Sequence, residues 1–314
     1  MYFGSVGCAL STTVTEMMVW RVAQALGACV GPVLSRAMVR DLYGREQSAK
    51  MLSTLILIMG IAPIAGPLVG GQLLLLWAWP AIFWMLAFVG LVTLYSFSRL
   101  PESLPTERRT REPLRYTFGA YWRLIRDPRL IGYALSGGFF YGGAYAFIVG
   151  TPFAYIDFYQ VSPQTYGWLF GLNIVGMMMA NYLNGRLLGR MSSEQLFYRG
   201  AWALAFFGVV LSLCAWFGWG GIWGLVIPIF FYMSMNGLIV ANSVAGTLAF
   251  FPHQAGTASS LVGAMHYGSG IFSAALVSWL ADGTPTGMAL VMGGAGIGCL
   301  ATALWSKSVR AEKL

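Results

Sequence analysis

The sequence predicts an all-α polytopic membrane protein built as two six-helix bundles, the first of them incomplete. Three observations lead there. The 314 residues are 57% hydrophobic and 10% charged, with a mean hydropathy of +0.67, whereas soluble domains carry roughly 25% charged residues. Nine windows are long and apolar enough to cross a bilayer, which takes about 20 residues each. One long hydrophilic connector splits those windows unequally.

The windows fall at 17–38, 51–76, 80–98, 130–154, 165–185, 199–217, 221–249, 257–281 and 286–306. Lysine and arginine collect in alternate connectors: Arg40, Arg45 and Lys50; the series from Arg99 to Arg129; Arg186, Arg190 and Arg199; and Lys307, Arg310 and Lys313. The connectors between hold only Glu16, Asp157 and Asp282. Basic loops remain cytoplasmic, which puts the C-terminus inside and Glu16 outside. The net charge of +8 therefore belongs to membrane topology and not to a nucleic-acid surface. Four cysteines, Cys8, Cys29, Cys214 and Cys299, sit far apart in apolar stretches. No spacing among them suggests a disulfide framework or a metal site.

Residues 1–12, MYFGSVGCALST, cover only about 18 Å as a helix, too short to span. They lack a basic segment and a signal-peptide cleavage site. By the alternation they read as the end of a membrane helix whose start lies upstream. Residues 1–98 then form a partial N-terminal bundle, 99–129 a cytoplasmic loop, and 130–314 a complete six-helix bundle. Transporters are commonly built from such repeats around a midplane site. An internal repeat is consistent with this, since KMLSTLILIMGIAPIAGPLVGGQL laid over TASSLVGAMHYGSGIFSAALVSWL matches small or helix-breaking residues at Ala62/Ser269, Pro63/Gly270, Gly66/Ser273, Pro67/Ala274 and Gly71/Ser278.

Within 51–76 the stretch GIAPIAGPLVGG concentrates residues that helix interiors tolerate poorly in water. In lipid, small residues let helices approach closely, and proline bends a helix by removing a hydrogen bond. Gly60, Pro63, Gly66, Pro67, Gly70 and Gly71 thus read as a bent, smooth gating and packing surface, or as a static kinked helix. Charges at membrane depth are costly and usually functional. Arg21 is such a charge, near enough to its helix end to snorkel, and Gln24 shares its face at i+3. Arg36 reads as an interfacial anchor. Tyr141 and Tyr145 in the aromatic run 139–147, Asn173 and Asn236 at mid-depth, and His266 are candidates for lining a substrate cavity; hydrogen bonding or packing between helices is the plainer alternative for each. No full span holds an Asp or Glu at its centre.

GIAPIAGPLVGG (60–71) resembles the fifth-helix motif of the drug:proton antiporters of the major facilitator superfamily. RVAQALG (21–27) resembles their RxxQG motif, with Ala25 in place of the usual glycine. RDLYG (40–44), LPESLPTERR (100–109), TPFAYI (151–156) and FPHQAGTASSLVGA (251–264) are similar to the bicyclomycin-resistance (Bcr/CflA) subfamily. The resemblance covers nearly the whole chain. It implies a proton-driven multidrug exporter of the bacterial inner membrane, twelve helices working by alternating access, monomeric and without a cofactor. Here the first two and a half helices, with the acidic coupling residue and the GxxxDRxGR-like gating motif, would be lacking. It also implies a proton-coupling role for Arg21 and Gln24. Partners would be drug-like molecules, protons and the bilayer. The alternatives are a nutrient or metabolite transporter of the same fold, or a truncated remnant that transports nothing. An enzyme is disfavoured, because its site would need clustered ligands or a nucleophile with its base, and the two histidines stand thirteen positions apart with no acid at depth.

Overall fold

The computed structural model describes residues 1–42, 45–100, 119, 121–251 and 254–311. The chain divides into two compact units, Met1–Arg111 and Glu112–Leu314. The stretch LPESLPTERR lies mostly outside the described residues, as do Tyr43, Gly44, Pro252 and His253.

In the first unit the helices are α1 (Tyr2–Leu10), α2 (Val14–Ala28), α3 (Val30–Leu42), α4 (Arg45–Leu76) and α5 (Pro80–Ser98). The window 17–38 is two helical pieces meeting at Cys29. Helix α1 is short but central: it packs on both α2 and α5, and most of the described residues this unit buries lie on it. Glycines allow that approach. A Cβ at Gly4 would lie 2.5 Å from the Gln24 nitrogen, and Tyr2 also comes close over Gly90, with its Cα 3.1 Å from where a Cβ would stand.

Helix α2 starts with a capping box. The Glu16 amide donates to Thr13 Oγ1 at 3.2 Å, and Glu16 Oε2 accepts from the Thr12 amide at 3.0 Å and the Thr13 amide at 3.3 Å. These donors hold the Glu16 carboxyl below its ordinary value of 4.5, the Thr12 amide contributing most. A depressed folded-state value means the cap is fully present above pH 4.5 and is lost as pH falls through the folded value. The expected result is that the Thr12 and Thr13 amide resonances titrate with a midpoint below that of an unstructured glutamate. Glu16→Gln, which can still cap, abolishes the titration.

The second unit holds α6 (Pro128–Pro152), α7 (Pro163–Leu187), α8 (Ser193–Phe217), α9 (Trp223–Ser234), α10 (Asn236–Phe250), α11 (Ala255–Trp279) and α12 (Thr286–Ala311). Their starts follow local chemistry. Asp127 caps α6, accepting from the Arg129 amide at 2.9 Å, with Pro128 in the first turn. Ser162 caps α7 ahead of Pro163, and Ser192 forms a capping box with Gln195 on α8. Proline is favoured at that first position because its missing N–H would be unpaired anyway. Helix α8 stops at Gly218, whose φ of 68° is left-handed, where glycine has no steric penalty. Past Pro152 the chain widens into a π-helical turn, Phe153–Phe158.

The window 221–249 is one membrane-crossing stretch, Trp223–Phe250, broken at Met235 into two helices. Pro228 lies inside α9, and the Ser234 hydroxyl donates back to the Phe230 carbonyl at 2.7 Å, a bond that bends helices. The Met235 amide then reaches only to the Tyr232 carbonyl at 3.1 Å, closing a tighter turn before α10.

In this unit α6 and α12 pack face to face. α12 also packs along α8, and α11 lies along α6. The core contains Phe140, Phe147, Tyr155, Phe197, Leu204, Ile229 and Tyr232. Among the described residues, six helical stretches are long and apolar enough to cross a membrane: Pro80–Ser98, Pro128–Phe158, Ser193–Phe217, Trp223–Phe250, Gly256–Trp279 and Thr286–Ser308. Helix α7 has 25 residues, but Asn173, Asn181 and Asn184 lower its hydropathy. The windows 17–38 and 51–76 contain residues whose side chains lie outside those described.

Candidate functional site

The first unit joins Arg21 and Gln24, as their i, i+3 spacing predicts. Arg21 Nη1 donates to Gln24 Oε1 at 2.7 Å, and Gln24 Nε2 donates to Ser5 Oγ at 2.8 Å. Ser5 Oγ donates in turn to the Met1 carbonyl at 3.1 Å. Gln24 is buried and Ser5 fully so, while Arg21 is exposed. Its guanidinium lies 5.7 Å from the centre of the Phe83 ring. A cavity of about 540 Å³ borders this chain, with Arg21, Gln24, Ala28 and Leu86 among its walls. Among the described residues no carboxylate is ion-paired with Arg21. The arrangement can fix a guanidinium in one orientation at the edge of a cavity through a buried amide. Ser5 was not singled out from the sequence, because nothing in an apolar leader marks which face meets α2.

Helix α4 runs unbroken through residues 59–71. Gly60 and the side chains of Pro63 and Pro67 lie outside the described residues, as does that of Arg36. At Gly66, Gly70 and Gly71 an added Cβ would meet nothing within 4 Å among the described residues.

The second unit gathers Tyr141, Tyr145 and His266. The Tyr141 and His266 rings stack at 5.0 Å with 26° between planes. Tyr145 stands 6.5 Å from Tyr141, and Tyr267 stands 5.4 Å from it. His266 is buried, and among the described residues its Nε2 has no hydrogen-bond partner. That nitrogen abuts Gly137 of α6, where any side chain would collide with it. A second glycine of the same helix, Gly143, receives the buried, unpartnered Tyr232 hydroxyl in the same way. Helix α6 thus meets a polar tip from α11 and another from α9 through missing side chains.

Asn173 and Asn236 stand apart from that cluster; no hydrogen bond or ring contact among the described residues links them to it. Asn173 Nδ2 donates to the Leu169 carbonyl of its own helix at 2.8 Å, leaving a buried Oδ1 unpartnered. Asn236 Oδ1 accepts from Asn181 Nδ2 at 3.5 Å. A neighbouring network, unforeseen from sequence, ties three helices together. Asn242 Nδ2 donates to Asn184 Oδ1 at 2.7 Å, and Ser193 Oγ donates to Asn242 Oδ1 at 2.7 Å.

Comparison with known proteins places this geometry. The sequence profile described as Major Facilitator Superfamily matches residues 1–274. An uncharacterized MFS-type transporter, YdgK, of Bacillus subtilis is 36% identical over 82% of this chain and 65% of its own length. The bicyclomycin resistance protein homolog of Haemophilus influenzae is 32% identical over 87% of this chain and 69% of its own. Multidrug resistance protein D of Escherichia coli is 28% identical over 84% and 66%. The chain therefore spans about two thirds of the length of the curated relatives it matches. A crystal structure of a bacterial homolog of the human lysosomal transporter Spinster, inward-facing and occupied, superposes with a TM-score of 0.65 at 15% identity, covering 99% of this chain and 80% of that one. That likeness speaks for the fold alone. The relatives bear out the bicyclomycin-resistance resemblance carried by the motifs, and the spans make this a multi-pass membrane protein. The chain belongs to the Major Facilitator Superfamily.

Proposed function

We propose that this chain is part of a proton-driven exporter of drug-like molecules in the bacterial inner membrane, with its C-terminus cytoplasmic, and that it transports rather than catalyses a covalent reaction. The observation that carries the reading is its similarity over most of its length to relatives named for resistance to bicyclomycin and to multiple drugs. The Arg21–Gln24–Ser5 chain supports a coupling role: a guanidinium held at a cavity edge can stabilise a carboxylate and release it on protonation. That carboxylate would come from outside the described residues. Tyr141 and Tyr145 supply ring faces suited to amphipathic aromatic compounds, with His266, Asn173 and Asn236 as further cavity candidates. Gly60, Pro63, Gly66, Pro67, Gly70 and Gly71 of α4 would serve as the gating and packing surface, a reading supported by the open space at Gly66, Gly70 and Gly71. The working unit is a monomer without a cofactor.

The test is efflux of a fluorescent drug from cells producing the protein. Export should stop when an uncoupler collapses the proton gradient. Efflux that continues unchanged, or gradient-driven uptake of solute in its place, overturns the reading.

A further inference from the structure

A cavity of about 600 Å³ lies wholly within the second unit, walled by α6, α11 and α12. None of Tyr141, Tyr145, Asn173, Asn236 and His266 lines it. It exists because α11 and α12 each pack along α6 but scarcely touch one another, leaving a wedge with α6 as its floor. Small residues keep the wedge open. Gly138 and Gly142 form the floor, and Gly268 and Gly294 face each other's helices across it; an added Cβ at either of the latter two meets nothing within 4 Å.

The chemistry of the wall selects the occupant. No charged residue lines the cavity, and its polar side chains are two serines. Of these, Ser269 already donates to the His266 carbonyl at 2.6 Å, and Ser273 is buried. Water needs several polar partners to stay in such a space, and a charged headgroup or ionised drug finds no counter-charge. The mouth is edged by exposed Phe272 and Leu276. Along α11 the wall runs from Ala264 to Leu280, about 24 Å of helical rise. That carries it from the middle of a membrane-spanning helix to the end beside connector 282–285. A slot of about 24 Å is longer than the hydrocarbon of one leaflet, roughly 15 Å, and comes close to a leaflet with its headgroup region, roughly 20–22 Å.

We infer that the α6–α11–α12 slot binds the acyl chain of a bilayer lipid from the leaflet on the side of connector 282–285. The chain fills a gap that helix packing leaves, and leaves its headgroup at the surface near Trp279, which is 80% exposed. Lipid thereby supplements the sparse contact between α11 and α12.

The experiment uses the protein reconstituted in membranes containing phosphatidylcholine with a diazirine on its acyl chain. Photolabelled sites are mapped by mass spectrometry. Ser269, Phe272 and Ser273 should be labelled more heavily than Phe88, an exposed residue of α5 that reports general lipid contact. Gly294→Leu should lower labelling in the slot at least fivefold and leave Phe88 unchanged. Gly268→Leu, on the opposite wall, should do the same, so that one poorly folding variant does not decide the result. Labelling in the slot no higher than at Phe88, or unaffected by both leucines, overturns the inference. So does labelling lost on adding an uncharged lipophilic drug at a concentration that leaves Phe88 labelled, which would assign the slot to the drug.

Discussion

Gly237→Ala should strongly destabilise the second unit. At Gly237 the first residues of α10 lie directly on α7. A Cβ there would stand 2.5 Å from the Ala180 carbonyl carbon and 2.8 Å from its oxygen, and closer still to the Asn181 nitrogen. Real Cβ atoms do not approach backbone so closely, and the obstacle cannot rotate away as a side chain would. Two helices must separate. That separation also loosens the Asn181–Asn236 contact and the Asn184–Asn242 bond nearby. Overpacking a tight interface costs about 1–3 kcal/mol, and backbone against backbone lies at the upper end. Interhelical hydrogen bonds in membranes average about 0.6 kcal/mol, so the steric effect dominates the polar one. Thermal unfolding in detergent should show an apparent melting temperature lower by several degrees. Gly263→Ala, at a position where a Cβ meets nothing within 4 Å, is the control and should be neutral. Equal melting of the two variants would show that the α7–α10 contact can relax.

The Gly237 contact also marks what the sequence could and could not say. Spans were legible because apolar runs end at residues with strong local preferences. Pro80, Pro128 and Pro163 occupy first turns, Thr13, Asp127, Ser162 and Ser192 cap, and Gly218 stops α8. Arg21 and Gln24 were legible as a pair because i, i+3 spacing fixes a shared helix face whatever surrounds it. Contacts between helices were not. In a soluble helix the buried face is apolar and the other polar, so periodicity reveals orientation. A membrane helix is apolar towards both lipid and core, and that signal vanishes. Nothing in SGGFFYGG distinguishes Gly137, which meets His266, from Gly138, which faces the slot. The choice of Asn242, and not Asn236, as the residue bonded to Asn184 likewise depends on helix rotation. The break at Met235 escaped for a different reason: Pro228 lies seven residues before it, and an apolar run across the break reads as a single span.

On the proposed reading of proton-coupled export, Arg21→Ala should abolish uphill export while sparing exchange of drug down its own gradient. The guanidinium is positioned by one buried amide, Gln24, which is itself fixed by Ser5 across the α1–α2 contact. Gly4 makes that contact close enough, since a Cβ there would strike the Gln24 backbone at 2.5 Å. Removing the guanidinium leaves the packing of Gln24 on Ser5 in place, so folding should survive. Gln24→Leu removes the positioning group instead: Arg21 keeps its charge but loses its 2.7 Å bond, and the Ser5 hydroxyl loses its donor. Lysine at position 21 is no substitute, because an ammonium lacks the planar fork of donors that engages an amide and a carboxylate together. The expected order of proton-driven efflux in the protein as produced in its membrane is wild type, then Gln24→Leu, then Arg21→Lys and Arg21→Ala. The alanine variant should fall at least tenfold, about 1.4 kcal/mol of coupling. The pH profile of efflux separates coupling from mere scaffolding. Loss of a structural contact would lower transport at every pH and lower downhill exchange equally. Loss of the coupling cation should flatten the pH dependence and leave exchange intact. Arg21→Ala with a full pH profile would exclude Arg21 from proton coupling and reduce the Arg21–Gln24–Ser5 chain to a clasp between α1 and α2.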